Sequence, residues 1–203
     1  MRIGVDFDNT IACYDGVFHA AAIERGLIPR DLAADKNSVR DFLNGSGRKD
    51  EFTELQGYVY GTRMDLASTY PGVEDFIAAA RAAGHDVYIV SHKTKFPMLG
   101  PKHDMHLAAR EFLKGRGLIG SGPKSVASEN VFFELTKEEK VARAASIGCQ
   151  VFIDDLPEIL AMTGFPGGMR GILFDPESRF SDLKIERYTD WGAVRNALIG
   201  VHA

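Results

Sequence analysis

The chain opens on Met1-Arg2-Ile3-Gly4-Val5-Asp6-Phe7-Asp8-Asn9-Thr10-Ile11, and this stretch limits the fold more than any other. Ile3, Val5 and Phe7 are apolar with Gly4 among them, in a run short enough for a strand covered on both faces of a sheet. The run ends in two carboxylates one residue apart, followed by Asn9 and Thr10. In a parallel sheet the carboxyl end of a strand is where ligands bind, because the next loop and helix open there. Two acids at such an edge repel each other unless something positive neutralises them, and a divalent cation does so most economically. Taken alone, the same residues also fit a strand that simply stops in an Asp/Asn turn. The rest of the chain discriminates between the two.

Size and composition narrow the classes. At 203 residues the chain is one domain with room for an insertion, or a domain and a small companion. With 45% hydrophobic and 26% charged residues it reads as globular rather than disordered. A formal charge of -4 speaks against a general binder of duplex nucleic acid, which would carry a basic face. A small anionic substrate met by a few lysines remains compatible. An opening strand at residue 2 or 3 leaves no room for a signal peptide, and no apolar stretch approaches bilayer length, so a cytoplasmic protein without membrane contact is expected. Cys13 and Cys149 are the only cysteines, too few for a disulfide framework, and are expected as small buried hydrophobes.

From Cys13 to about Thr69 the pattern turns helical. Helices are expected from Tyr14 to Ile23, from Asp35 to Leu43 and from Asp50 to Leu66, with Asn44-Gly45-Ser46-Gly47 as loop chemistry. No strand alternation interrupts them, so residues 13–69 read as a helical insertion after the first strand. Pro71-Gly72 marks a boundary, and an α/β rhythm follows. A helix over Gly72 to Ala83 leads to the strand Asp86-Val87-Tyr88-Ile89-Val90-Ser91. A loop, a helix from about His103 to Gly117 and a strand Val131-Phe132-Phe133 come next. Thr136-Lys137-Glu138-Glu139 has the form of a capping box. Strands at Gln150–Asp154 and Gly171–Phe174 follow, and Asp190 is placed to cap a closing helix.

Strands alternating with helices predict an α/β fold with a doubly wound, mostly parallel, Rossmann-like sheet. The division expected is a core of residues 1–12 and 70–203 with 13–69 as a small helical cap inserted after the first strand. If the strands run parallel, their carboxyl ends share one edge. That edge gathers Asp6 and Asp8, Ser91, and Asp154 and Asp155, and the helix opening at Thr136 begins there too. Lys137 is the oddity: a cation in the first helical turn opposes the macrodipole at a cost of a few tenths of a kcal/mol. Nearby carboxylates would more than offset this, and Lys140, one turn on, could take the same role. A solvated Lys/Glu helix face is the plainer alternative.

At these residues the sequence resembles the haloacid dehalogenase (HAD) superfamily of phosphohydrolases, over residues 1–12 and about 70–175. The family's first motif, an apolar strand ending Asp-x-Asp-x-Thr, matches Asp6-Phe7-Asp8-Asn9-Thr10. Its second, an apolar strand ending in Ser or Thr, matches Val87 to Ser91. Its third, a lysine near a helix start, matches Lys137 or Lys140, and its fourth, a strand ending in an acidic pair, matches Val151 to Asp155. The resemblance implies Asp6 as nucleophile and Asp8 as general acid and base. It implies Mg²⁺ held by the Asp6 carboxylate, the Asp8 carbonyl and one of Asp154 and Asp155. Asp155 is favoured there as the direct ligand, with a register uncertainty of one residue. Ser91 would bind a phosphoryl oxygen, with Asn9, Thr10 and His92 beside it, and Lys137 or Lys140 would balance charge.

Dehalogenase-type relatives lack an acid at the position of Asp8, so its presence implies a phosphate ester or anhydride as substrate. A cap of this kind implies a small phosphorylated metabolite, and Phe18, Arg25 and Arg63 are candidates to meet it. Asp154-Asp155-Leu156-Pro157-Glu158 with the late Asp190-Trp191 is in part similar to the 5'(3')-deoxyribonucleotidase branch. The stretch His92 to His103, with Lys93, Lys95 and Lys102, lies outside the motif set and fits either an anion-binding segment or a solvated basic loop. His103 and His106 have a metal-like spacing but no further ligands. Phosphotransfer or phosphomutase chemistry on the same residues, and a non-catalytic binding module, are the alternatives. A signalling receiver domain fits less well, because there the acidic pair comes first rather than late.

Overall fold

A computed structural model of the protein describes residues 1–200. Six strands form one sheet: β1 (Arg2–Val5), β4 (Asp86–His92), β5 (Val131–Glu134), β6 (Val151–Asp154), β7 (Arg170–Phe174) and β8 (Arg187–Tyr188). They lie in the order β5-β4-β1-β6-β7-β8, and every pairing is parallel. Numbered by their own sequence order, the strands run 3-2-1-4-5-6, the doubly wound arrangement whose direction reverses at the first strand. β1 is therefore the switch point. A separate pair, β2 (Ala12–Cys13) with β3 (Ser68–Thr69), is too short to have an alternating pattern in the sequence.

Both faces of the sheet are covered, which is why its strands are continuous apolar runs. One side buries Phe76 of α4 (Val73–Ala82) and Trp191 of α8 (Trp191–Ile199) with Phe174, whose ring stacks on Trp191 at 5.2 Å. A second apolar cluster gathers Val90, Phe152 and Met169 with Val141 and Ala144 of α6 (Lys137–Ile147) and Ile159 of α7 (Pro157–Leu160). Cys149 lies in that cluster, and both cysteines are buried and not joined in a disulfide. Two of the expected caps are present. Thr136 and Glu139 form a reciprocal capping box on α6, and the Asp190 carboxylate accepts from Ala193 N at 2.8 Å on α8.

The chain divides into two compact units. One comprises residues 1–12, 69–93 and 114–203, and the other residues 13–68 and 94–113. The second unit contains α1 (Val17–Glu24), α2 (Lys36–Gly45), α3 (Lys49–Gly61) and α5 (Met105–Gly115), the last running just past its boundary. It thus takes in a stretch that the sequence division left with the core. The reason lies on α3, where Gly57 and Gly61 are one turn apart and admit Pro97 and His103. A Cβ at position 57 would sit 2.5 Å from that of Pro97. His103 meets the Thr62 hydroxyl at 3.2 Å, as part of this packing. Phe18 is buried among Tyr14, Phe52 and Tyr60 and packs in the core of this unit. Arg25 pairs with Glu54, and Arg63 with Glu24 and Asp65.

Candidate active site

Register brings the acids together. Val5 of β1 is paired with Ile89 of β4 and with Ile153 of β6. One residue beyond Val5 and Ile153 stand Asp6 and Asp154, and Asp6 N donates to Ile153 O at 2.9 Å, extending the ladder to that level. The chain then turns at once. Ile11 N and Ala12 N both donate to Phe7 O, and Asn9 adopts a left-handed φ of 57°, a conformation Asn tolerates better than most residues. The Trp191 indole N–H donates to Thr10 O at 3.1 Å and ties the loop to α8. Asp-x-Asp-Asn-Thr is therefore a tight loop whose acids stand on the carboxyl edge of the switch-point strand.

Lys140 is the centre of the cluster. It is completely buried, its Nζ donates to Asp6 Oδ1 at 2.7 Å, and it lies 2.6 Å from Asp154 Oδ2. The contact with Asp154 is an ion pair whose angle falls short of good hydrogen-bond geometry. The other Asp154 oxygen accepts from Leu156 N at 3.0 Å. Burial works against the charge on Lys140, but Asp154 and Asp6 hold it protonated, with its pKa above the usual lysine value. Asp6, Asp154 and Asp155 each offer a carboxylate oxygen within 4.8 Å of the others. At that distance two like charges repel by about 3 kcal/mol at an effective dielectric of about 20.

One ammonium cannot neutralise three carboxylates. Accordingly, burial and the neighbouring Asp6 push Asp154 up to about 7, even against the pull of Lys140. Burial followed by repulsion from Asp6 and Asp154 pushes Asp155 well above its ordinary range. The group is short of positive charge, and a hard divalent cation suits its all-oxygen donor set. Two hydroxyls at the same edge, Thr10 Oγ1 and Ser91 Oγ, are buried without a protein partner. Such groups are costly unless something else satisfies them.

The other expected residues fall as follows. Lys137 lies on the outer side of α6, paired with Glu158 at 3.0 Å and more than a third exposed, so the lysine that touches the acids is Lys140. This corrects the assignment of Lys137 to the catalytic group. Lys140, the alternative lysine of the third motif, gives its ammonium to the carboxylates of Asp6 and Asp154. His92 ends β4, half-buried, and burial together with Lys140 lowers its pKa. Asp8 lies outside the three-acid group and meets Lys93, which the sequence placed in a stretch fitting either an anion-binding segment or a solvated basic loop. Lys93 Nζ donates to both of its oxygens, at 2.9 and 2.8 Å. The available signal was position, since Lys93 stands two residues after Ser91 at the same sheet edge. Its surroundings of Lys, Pro and Gly gave it the look of a solvated loop.

No protein-family model matches the sequence, and no curated protein matches it. Solved structures do match in shape. A HAD family hydrolase from Deinococcus radiodurans R1, with bound phosphate and sodium, superposes with a TM-score of 0.58 at 17% identity, over 97% of this chain and 94% of that one. A HAD-superfamily hydrolase of subfamily IA from Geobacter sulfurreducens PCA gives 0.56 at 10% identity, over 97% and 95%. A HAD phosphatase from Thermococcus onnurineus gives 0.52 at 16% identity, over 100% and 99%. The protein has the six-stranded α/β fold of HAD-superfamily hydrolases.

Proposed function

We propose that this protein is a divalent-metal-dependent phosphatase that hydrolyses small phosphate monoesters through a phosphorylated Asp6. The observation that carries the reading is the buried bridge made by Lys140 between Asp6 and Asp154, with Asp155 beside them and Asp8 two residues on. An aspartate that must attack phosphorus needs to be aimed, and the ammonium at 2.7 Å holds its carboxylate in place. Asp6 and Asp155 would hold the cation, because both Asp154 oxygens are already engaged, by Lys140 and by Leu156 N. Mg²⁺ fits these ligands and, when bound, would neutralise charge on the phosphoryl group. The Ser91 and Thr10 hydroxyls would satisfy phosphoryl oxygens.

In the first half-reaction an Asp6 oxygen forms a bond to phosphorus. The bond from phosphorus to the ester oxygen breaks, and its electron pair leaves on that oxygen, which takes the proton of Asp8. In the second, water gives a proton to Asp8 as its oxygen bonds to phosphorus, and the electron pair of the Asp6–phosphorus bond returns to the carboxylate. The sum is ester plus water giving alcohol plus inorganic phosphate. An acid at position 8 favours an ester over a halide, which needs no proton. Nucleotides and sugar phosphates are the substrate classes of this reading, with the second unit selecting among them and a cytoplasmic setting to match. No helix among the described residues is long and apolar enough to cross a membrane.

The test is phosphate release from a panel of nucleoside monophosphates, sugar phosphates and 4-nitrophenyl phosphate with Mg²⁺. The Asp6→Asn variant is expected to lose on the order of 10³-fold or more, the scale seen when a nucleophile is removed. Turnover that survives in the variant contradicts the role of Asp6. A wild-type protein that turns over nothing favours a binding module, and recovery of the phosphoryl group on an added alcohol favours transfer.

A further inference from the structure

We propose that Lys93 is a positioning residue for the proton transfers of this site, holding the Asp8 carboxyl group in the orientation from which it serves the leaving oxygen. The inference rests on the phosphatase reading, in which Asp8 gives and regains a proton. Its basis is the geometry around Lys93. The ammonium donates to both Asp8 oxygens at 2.9 and 2.8 Å, and the residue is 5% exposed although it begins a loop rich in Lys, Pro and Gly. A lysine in that position would ordinarily extend into water, since burying its charge is unfavourable without a matched partner.

Both ends of Lys93 are fixed. Its N–H donates to Glu134 O at 2.7 Å, which continues the pairing of β4 with β5 one residue past the end of the strand. Its Nζ stands 5.5 Å from the centroid of the Phe7 ring, and that ring is itself buried edge-on against Phe133 at 5.7 Å. Phe7 lies between the two aspartates in sequence, so its side chain is the floor under the lysine that grips Asp8. The two lysines of the site thus have separate work: Lys140 serves Asp6 and Asp154, and Lys93 serves Asp8.

An ammonium bonded to both oxygens fixes the plane of the carboxyl group, which a single-point contact would leave free to rotate. In the first half-reaction the proton passes from Asp8 to the leaving oxygen, and the carboxylate left behind stays in place against Nζ. In the second the proton from water returns to Asp8. Lys93 keeps its own protons throughout and forms no bond to phosphorus.

The experiment compares wild type, Lys93→Met and Lys93→Arg on two esters, 4-nitrophenyl phosphate and an alkyl phosphate from the panel above. 4-Nitrophenolate departs without a proton, whereas an alkoxide needs one. In Lys93→Met, kcat/KM, which reports the first half-reaction alone, is expected to fall on the order of 10²-fold on the alkyl ester, against less than about 10-fold on the nitrophenyl ester, the scale of a misplaced general acid. Lys93→Arg should give a ratio between those of wild type and Lys93→Met. Equal losses on both esters would make Lys93 a structural tie only and overturn the proposal. If circular dichroism shows that Lys93→Met does not fold, the Lys93→Arg ratio decides, and a ratio equal to that of wild type overturns the proposal. A wild-type protein inactive on every ester removes the phosphatase reading and the role of Lys93 with it. Wild-type turnover with equal losses removes the role of Lys93 alone.

Discussion

Lys140 has no water to interact with and two carboxylates within 2.7 Å, so its removal strands buried charge. Breaking such a pair from one side costs about 3–5 kcal/mol. Lys140→Met should therefore lower the urea midpoint sharply and abolish turnover. Lys137→Met, which loses only an exposed pair with Glu158, should change stability by less than about 1 kcal/mol and keep its activity. Equal effects of the two substitutions would refute the division of roles. The sequence favoured Lys137, in the first turn of the helix, with Lys140 one turn on as the alternative. Choosing between them needed the direction of α6 against the sheet edge, which depends on packing. The contact of Lys93 with Asp8 was hidden for a related reason. A Lys in a Pro/Gly loop looks solvated until strand pairing is seen to continue through it.

At the scale of elements, the clearest sequence features were the apolar strands and their caps. β1, β4, β5, β6 and β7, the capping box at Thr136 and the Asp190 cap stand where periodicity and turn chemistry put them. β2, β3 and β8 are two residues long, too short for any period, and exist because neighbouring backbone is there to pair with. The placement of 94–113 with the helical unit was likewise invisible, since it depends on Gly57 and Gly61 accepting Pro97 and His103. Gly4 offers a direct check on the central strands. A Cβ there would lie 2.5 Å from the buried Phe152 ring of β6 and 3.1 Å from Cys149 Sγ. Gly4→Ala is expected to cost about 1–3 kcal/mol by overpacking. The loss should shrink when Phe152 is also changed to Leu, because the two side chains share one space. A full additive loss in urea denaturation would mean that the contact does not set the fit of β1 against β6.

For the whole molecule, a cation held by the three-carboxylate group would couple folding to cation binding. Mg²⁺ at about 100 times its dissociation constant should add about 2.7 kcal/mol to the folded state. For a chain of 203 residues that is a rise in melting temperature of about 5–10 °C. Asp155→Asn should remove most of this rise. An equal shift in the variant would place the cation elsewhere. The fold class was legible because four strand ends, those of β1, β4, β5 and β6, carry their chemistry in sequence order, while substrate identity was not, because no periodicity reveals which side chains would meet a substrate. The central claim is that Asp6 carries the phosphoryl group during turnover. Acid-quenching the enzyme with its best substrate, reducing with borohydride and sequencing the peptides by mass spectrometry tests it most directly. Conversion of Asp6 to homoserine, dependent on substrate, is the result predicted; turnover with Asp6 unmodified and another residue reduced would contradict it.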